Sequence, residues 1–146
     1  MKNRVLPIIL VIVGCLVLLA LSFPIRSGSP PTPFTRTNRR LMALSTALRS
    51  YWLEYEQFPK GDLRDLLAVL QAKNTDGQNP RKVLFFEFQS RDFDKDGNFV
   101  DGWGHPFLLT ANGDRSKITV KSLGENGVDD QGKPDDIVVE IVPRSK

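Results

Sequence analysis

The sequence has only one cysteine and one histidine among its 146 residues. Cys15 lies inside an apolar run, so the chain can form no internal disulfide and its polar part has no thiol chemistry. His105 could act as a general base only beside a nucleophile or a substrate pocket, and the sequence indicates neither. The sequence also lacks a phosphate-binding loop, a catalytic triad and a metal-hydrolase signature. These absences predict a protein that is not an enzyme and has no small-molecule substrate.

The excess of positive charge is small and lies near the amino terminus. The chain has 20 Lys and Arg against 17 Asp and Glu, a formal net charge of +3. Lys2, Arg4 and Arg26 account for this excess, because no acidic residue lies among the first 26. The rest of the chain is formally neutral, which excludes a basic nucleic-acid-binding face.

Residues 5–23 form an apolar run without a charged residue. As a helix rising ~1.5 Å per residue, this run would be about 28 Å long, close to the hydrocarbon thickness of a bilayer. It predicts a membrane anchor helix over residues 1–23, and signal anchors of this type usually export the domain that follows. Cations flank both ends of the run, so charge alone leaves the orientation open. Two alternatives remain, a cleaved signal peptide and a lipoprotein acylated at Cys15.

Residues 24–34 contain four prolines and predict a linker, so the folded domain is expected over residues 35–146. Thr35 or Thr37 can cap a helix at its start. A long amphipathic helix is predicted from there to about Gln57-Phe58-Pro59, because apolar side chains recur at helical spacing. These side chains are Leu41, Leu44, Leu48, Tyr51, Trp52 and Tyr55.

The later part of the domain changes from helical to strand periodicity. Asp62 can cap a short helix from Leu63 to about Ala72, with Leu66, Leu67, Val69 and Leu70 facing inward. Alternating apolar residues then predict four strands, with a hairpin turn at Asn112-Gly113-Asp114. The fold class is therefore α+β, a long helix packed on a small antiparallel sheet. The predicted strands are Val83–Phe88, Phe107–Thr110, Lys117–Ser122 and Ile137–Val142.

Two acidic loops are candidates for cation binding. Asp92, Asp94 and Asp96 have the D-x-D-x-D-G spacing of a calcium loop, although an EF-hand would need a glutamate where Trp103 stands. Residues 122–137 carry five acids and one base, and such acids repel one another unless a cation or distance separates them. Oxygen ligands without nearby His or Cys favour calcium over zinc. The alternative in both places is a solvated acidic turn.

The order of several motifs resembles a known family over roughly residues 38–142. Leu44–Tyr55 precedes Gln57-Phe58-Pro59, and a D-G-W-G-H-P-F turn follows at Asp101–Phe107. The segments Ser122–Gly127 and Asp135-Asp136-Ile137 come last. This order is similar to the carboxy-terminal domain of the major pseudopilin of type II secretion systems.

The resemblance implies a structural component of a type II secretion or pilus-type apparatus. Its place would be the bacterial inner (cytoplasmic) membrane, as a single-pass protein with a periplasmic domain. Its partners would be the membrane and other pseudopilin-like or secretion-apparatus proteins. His105 would be a hydrogen-bonding turn residue, since the family has Asn there, and Trp103 would be a core residue beneath the turn.

The resemblance also implies a structural calcium ion as the cofactor. The matching ligands are the Leu123 and Val128 carbonyls, the Asn126 side chain and the Asp136 carboxylate. Three further acids in this loop match less firmly, and the D-x-D-x-D-G turn is a second possible site. The three acids are Asp129, Asp130 and Asp135.

The amino-terminal segment departs from the family pattern. The family has a basic leader cut after glycine, then phenylalanine and a glutamate at the fifth position of the apolar helix. Here Gly14-Cys15 lies in the middle of the run, and Leu19 stands where the glutamate would be. The prolines of residues 24–34 also interrupt the helix that is continuous in the family. An alternative function is therefore a tethered envelope binding module outside any filament, with or without a lipid modification.

Overall fold

The computed structural model describes residues 29–131 and 135–143. The predicted anchor over residues 1–23 lies outside the described residues, as do residues 24–28 of the predicted linker. Within the described ranges, no helix combines the length and apolarity that crossing a bilayer requires. The chain from Pro31 onward forms one compact unit.

The long helix, α1, spans Pro33–Tyr55. Its amino-terminal cap is Thr32, whose hydroxyl oxygen accepts from the Thr35 backbone N–H at 3.2 Å. Proline is tolerated in the first turn because its missing N–H would have no helical partner there. The helix therefore begins earlier than predicted from Thr35 or Thr37. It ends as expected just before Pro59, with Glu56 in a left-handed conformation at φ 53°.

The predicted apolar stripe of α1 forms the core, with Leu41, Leu44, Leu48 and Tyr51 buried. A second helix, α2, spans Leu63–Leu70. Asp62 caps it as predicted, because its Oδ1 accepts from the Asp65 N–H while Asp65 Oδ2 accepts from the Asp62 N–H. All four residues predicted to face inward from α2 are buried.

Three antiparallel strands form the sheet in the order β1 (Leu108–Ala111), β2 (Ile118–Ser122) and β3 (Ile137–Ile141). Val120 in the central strand lies opposite Leu109 and Val139, and their common face packs on the helical core. The predicted hairpin turn is confirmed, since the Arg115 N–H donates to the Asn112 carbonyl at 2.9 Å. The prediction of a long helix on a small antiparallel sheet is therefore confirmed.

The prediction of a strand at Val83–Phe88 is wrong. Its pairing is limited to an isolated bridge between Leu84 and Gln71. The N–H groups of Phe85 and Phe86 both donate to the Leu70 carbonyl at the end of α2. The phenylalanines of this segment pack against the core. Its alternation of apolar and polar residues therefore reflects burial of one side, and the segment has no neighbouring strand among the described residues with which to form a sheet.

Tyr51 gives the fold a specific alkaline sensitivity. Its hydroxyl donates to the Gln78 carbonyl at 2.6 Å, and burial, followed by the neighbouring Tyr55, raises its pKa from 10.0 to about 12. Because the folded-state pKa lies above the unfolded value, the stabilisation is complete below pH 10 and is lost as the pH rises towards 12. Urea unfolding between pH 8 and 11.5 should show this loss. Tyr51→Phe should reduce it and Tyr55→Phe should retain it; equal losses in both variants would contradict the assignment.

Candidate functional site

Asp101 is a buried carboxylate, 1% exposed, that organises the turn over residues 101–107. Its Oδ1 accepts from the backbone N–H groups of Trp103, Gly104 and His105, each at 2.9 Å. Its Oδ2 accepts from the hydroxyl of Ser122 at 2.6 Å. Because Ser122 ends β2, one carboxylate joins the turn to the strand that leads into the second acidic loop.

His105 joins the same turn to the beginning of that loop. Its Nδ1 lies 2.9 Å from the Gly124 carbonyl oxygen. Gly127, at φ +69°, lies so close that a Cβ there would be 2.9 Å from Nε2 of the imidazole. The histidine therefore acts as a hydrogen-bonding turn residue, as the sequence indicated. Trp103 differs from expectation, because it is half-buried and does not belong to the hydrophobic core.

The first turns of α1 dock on the other side of Asp101. A Cβ on Gly102 would lie 1.9 Å from the Pro33 carbonyl oxygen, so only glycine fits. The Gly102 N–H donates to the Thr37 hydroxyl at 2.8 Å. The Arg40 guanidinium donates to the Val100 and Asp101 carbonyls, at 2.7 and 2.8 Å. The start of α1, the turn and the second acidic loop are therefore one connected assembly.

The second acidic loop is held together by contacts among its polar residues. Asn126 donates from its backbone N–H to Asp135 Oδ2 at 3.0 Å and from its side chain to Asp130 Oδ2 at 2.7 Å. The Asp130 N–H donates to Asp136 Oδ2 at 3.1 Å. Four of the predicted ligand residues therefore lie together at the base of this loop. The Asn126 side-chain oxygen is engaged locally, since it accepts from the Val128 N–H.

The donor set of this loop is suited to a hard cation. Asp135 Oδ1 is buried without a hydrogen-bond partner in the described structure, and the Asn126 N–H lowers the pKa of Asp135 and keeps it ionised. A Cβ on Gly124 would lie 2.4 Å from the Asp135 carbonyl oxygen. Among the described residues, no three His, Cys, Asp or Glu side chains converge as a metal site. Backbone carbonyls would therefore have to complete any coordination shell.

The other predicted ligands of this loop lie apart from that group. Asp129 pairs with the Lys121 ammonium at 2.6 Å, and this contact lowers the pKa of its carboxyl. Leu123 is half-buried beside Ser122, and the Val128 side chain is exposed to solvent. Only their backbone carbonyls could take part in coordination.

The D-x-D-x-D-G turn is held by its own backbone. Asp94 accepts from the N–H groups of Asp96 and Asn98 and from the Asn98 side chain, which lowers the pKa of Asp94. Asp92 instead accepts from Arg40 at 3.0 Å, while Asp96 is exposed. The three carboxylates of this second possible site are therefore not brought together.

A family model described as "Type II secretion system (T2SS), protein G" matches residues 32–140. The chain belongs to this family. The match extends from the cap of α1 through nearly all of β3 and includes both acidic loops. Searches of curated proteins and of solved structures each returned no match.

Family membership confirms two predictions from the sequence. The resemblance to the major pseudopilin is correct, and the protein is a structural component of a secretion system, not an enzyme. It also indicates association with other secretion-apparatus or pseudopilin proteins at the cell envelope.

Sequence reasoning missed the part that Asp101 and Arg40 play in joining these elements. Asp101 had a local signal, because an Asp before a glycine-containing turn commonly accepts from the following backbone N–H groups. Arg40 had none, since its partners lie 51 to 61 positions away.

Proposed function

We propose that this protein is a membrane-anchored pseudopilin-like component of a type II secretion apparatus, with a calcium-stabilised extracytoplasmic domain. The observation that carries the proposal is the Asp101 carboxylate, which connects the family's tryptophan-glycine turn to the loop after β2. Together with the start of α1, these elements form one connected surface that suits a structural role.

Calcium binding is proposed at the base of the second acidic loop. Asn126, Asp135 and Asp136 would supply side-chain oxygens, and the carbonyls of Leu123 and Val128 would complete the set. The ion would supply positive charge that offsets the repulsion among these carboxylates. Asp130 would position Asn126 through the hydrogen bond between their side chains.

Membrane anchoring is proposed for residues 5–23 because of their length and lack of charge. The bacterial inner membrane, with the domain on the periplasmic side, is the location that fits both this segment and the family. The prolines of residues 24–34 predict a semi-extended linker between this segment and the domain.

The secretory role can be tested with a matched pair of glycine variants. Deletion of the gene should abolish export of the type II substrates, and the wild-type chain should restore it. Gly102→Ala should restore export poorly, because the new methyl group collides with Pro33. Gly113→Ala should restore it fully, since no heavy atom lies within 4 Å of the added carbon. Undiminished export in the deletion strain would favour the tethered binding module.

The amino terminus should remain unprocessed. If residues 5–23 are an anchor, the mature chain keeps Met1 or Lys2 and stays in the membrane during carbonate extraction. Intact mass spectrometry of the purified protein measures this directly. Cleavage before Cys15 with added acyl mass would identify a lipoprotein, and an unmodified new terminus near residue 24 would identify a cleaved signal.

A further inference from the structure

A groove runs along α1 from Asn38 to Leu53, beside the edge strand β3. Two adjoining cavities of about 200 and 460 Å³ lie there, and Thr46 and Arg49 line both. Leu53 and Pro143 line one end, and Met42 and Val139 line the other. The walls are largely apolar, and Met42 and Leu53 are 72% and 67% exposed. A groove of this kind is typical of a docking surface.

Arg49 lies at the centre of this groove and is only partly solvated. Its Nε atom is buried and has no hydrogen-bond partner in the described part of the chain. A guanidinium N–H without a partner in a partly apolar site favours a ligand that brings an oxygen acceptor, and a carboxylate is the strongest such acceptor. The groove therefore fits an occupant with an apolar side chain close to an acidic one.

The second acidic loop presents that combination on its outer side. Val128 is 57% exposed, although valine is more often buried. Glu125, three residues earlier, is exposed and acidic, whereas Asp129 is already paired with Lys121. Val128 and Glu125 therefore offer an apolar contact and a carboxylate on one exposed loop.

The loop lies at the end of the domain where β3 begins, whereas the groove extends from Met42 and Val139 near that end to Leu53 and Pro143 at the other. β3 begins at Ile137, directly after the loop, and the chain reaches Pro143 six residues later, about 20 Å away in extended conformation. The loop also contacts the turn that packs on the first residues of α1, whereas Leu53 is near the end of that helix. The loop of one domain is therefore too far from the Leu53 end of its own groove to dock there.

We propose that the loop Glu125–Asp130 of one copy docks in the α1–β3 groove of a second copy, with Val128 against the apolar walls and Glu125 on Arg49. The contact joins the loop of one copy to the groove of another. A pair of copies therefore keeps one free groove and one free loop, and each can bind a further copy in the same way. This inference rests on the proposed assembly role and specifies a surface for it.

Photocrosslinking of the full chain in its native membranes tests the contact. A benzophenone amino acid replacing Leu53 should give an adduct of twice the chain mass, with the attachment in the peptide containing Val128. Leu84 is a matched control, because it is similarly exposed at 58% but lies outside the groove. A dimer adduct attached elsewhere, an equal yield from position 84, or no dimer would overturn the proposal.

Charge exchange tests the pairing of Arg49 with Glu125. Arg49→Glu should lower the dimer yield about tenfold, and combining it with Glu125→Arg should restore most of it. Arg39→Glu makes the same charge change at an exposed α1 residue outside the groove and should leave the yield unchanged. Failure of the double variant to recover, with normal protein levels, would reject the pairing.

A crosslink from position 53 to another secretion protein would reject the copy-to-copy contact and leave the assembly role intact. That role is decided separately by export in the deletion strain.

Discussion

Asp101→Ala should lower the melting temperature of the folded domain by about 15 °C. The alanine removes the carboxylate that accepts from three partly buried turn N–H groups and from the buried Ser122 hydroxyl, while the Gly104 N–H keeps the Asp101 carbonyl as a second acceptor at 3.3 Å. Buried donors without partners cost ~1–3 kcal/mol each, and because the losses are not additive we expect about 3–5 kcal/mol in total. For a domain of this size, that free energy corresponds to a shift of roughly 15 °C.

Calorimetry of the chain from Pro31 onward, with two further variants, separates the causes of this loss. Asp101→Asn keeps one oxygen acceptor and nearly the same shape, so it should lose clearly less stability than alanine. Ser122→Ala removes only the link to β2 and should cost about 1–2 kcal/mol. A shift below about 4 °C for Asp101→Ala would mean that the turn does not depend on this carboxylate.

Removal of calcium should have the second-largest effect. An ion that binds only the folded state stabilises it by RT ln(1 + [Ca]/Kd), which is about 2.7 kcal/mol when calcium exceeds Kd ~100-fold. The melting temperature should therefore fall by about 10 °C in EGTA and recover with calcium. Magnesium should restore it poorly, since it prefers a compact octahedral shell.

Two aspartate variants locate the ion. Asp136→Ala should abolish most of the calcium response, whereas Asp94→Ala should leave it largely intact because Asp94 binds its own turn. The reverse result would place the ion in the D-x-D-x-D-G turn. Equal melting in EGTA and calcium, with no metal found by elemental analysis, would leave both loops as solvated acidic turns.

The periodic elements were predictable because local sequence determines them. The stripe from Leu41 to Tyr51 indicates one buried helix face, and the Asp62 cap depends only on residues three positions apart. The hairpin at residues 112–115 is local as well. Local patterns of this kind predict a helix or turn and its buried side, but they do not predict which other element packs against that side.

The predictions that were wrong or incomplete concern features that depend on contacts between residues far apart in the sequence. Thr37 looked like a cap, yet its hydroxyl is buried and accepts from Gly102, 65 positions later. The segment 83–88 looked like a strand, yet its N–H groups bind the end of α2. The role of Arg40 depends on segments that no local pattern connects. The groove around Arg49 arises only when β3 lies beside α1.

The distance in sequence between α1 and its contacts has a consequence for synthesis. The last strand of the sheet that covers its apolar face ends at Ile141, about ninety residues after the helix, and the contacts of Arg40 span more than fifty. Ribosomes add ~5–20 residues per second, so on the order of ten seconds pass before the helix can be covered. During that interval the apolar stripe lacks the sheet that later covers it, and apolar surface exposed in this way promotes aggregation.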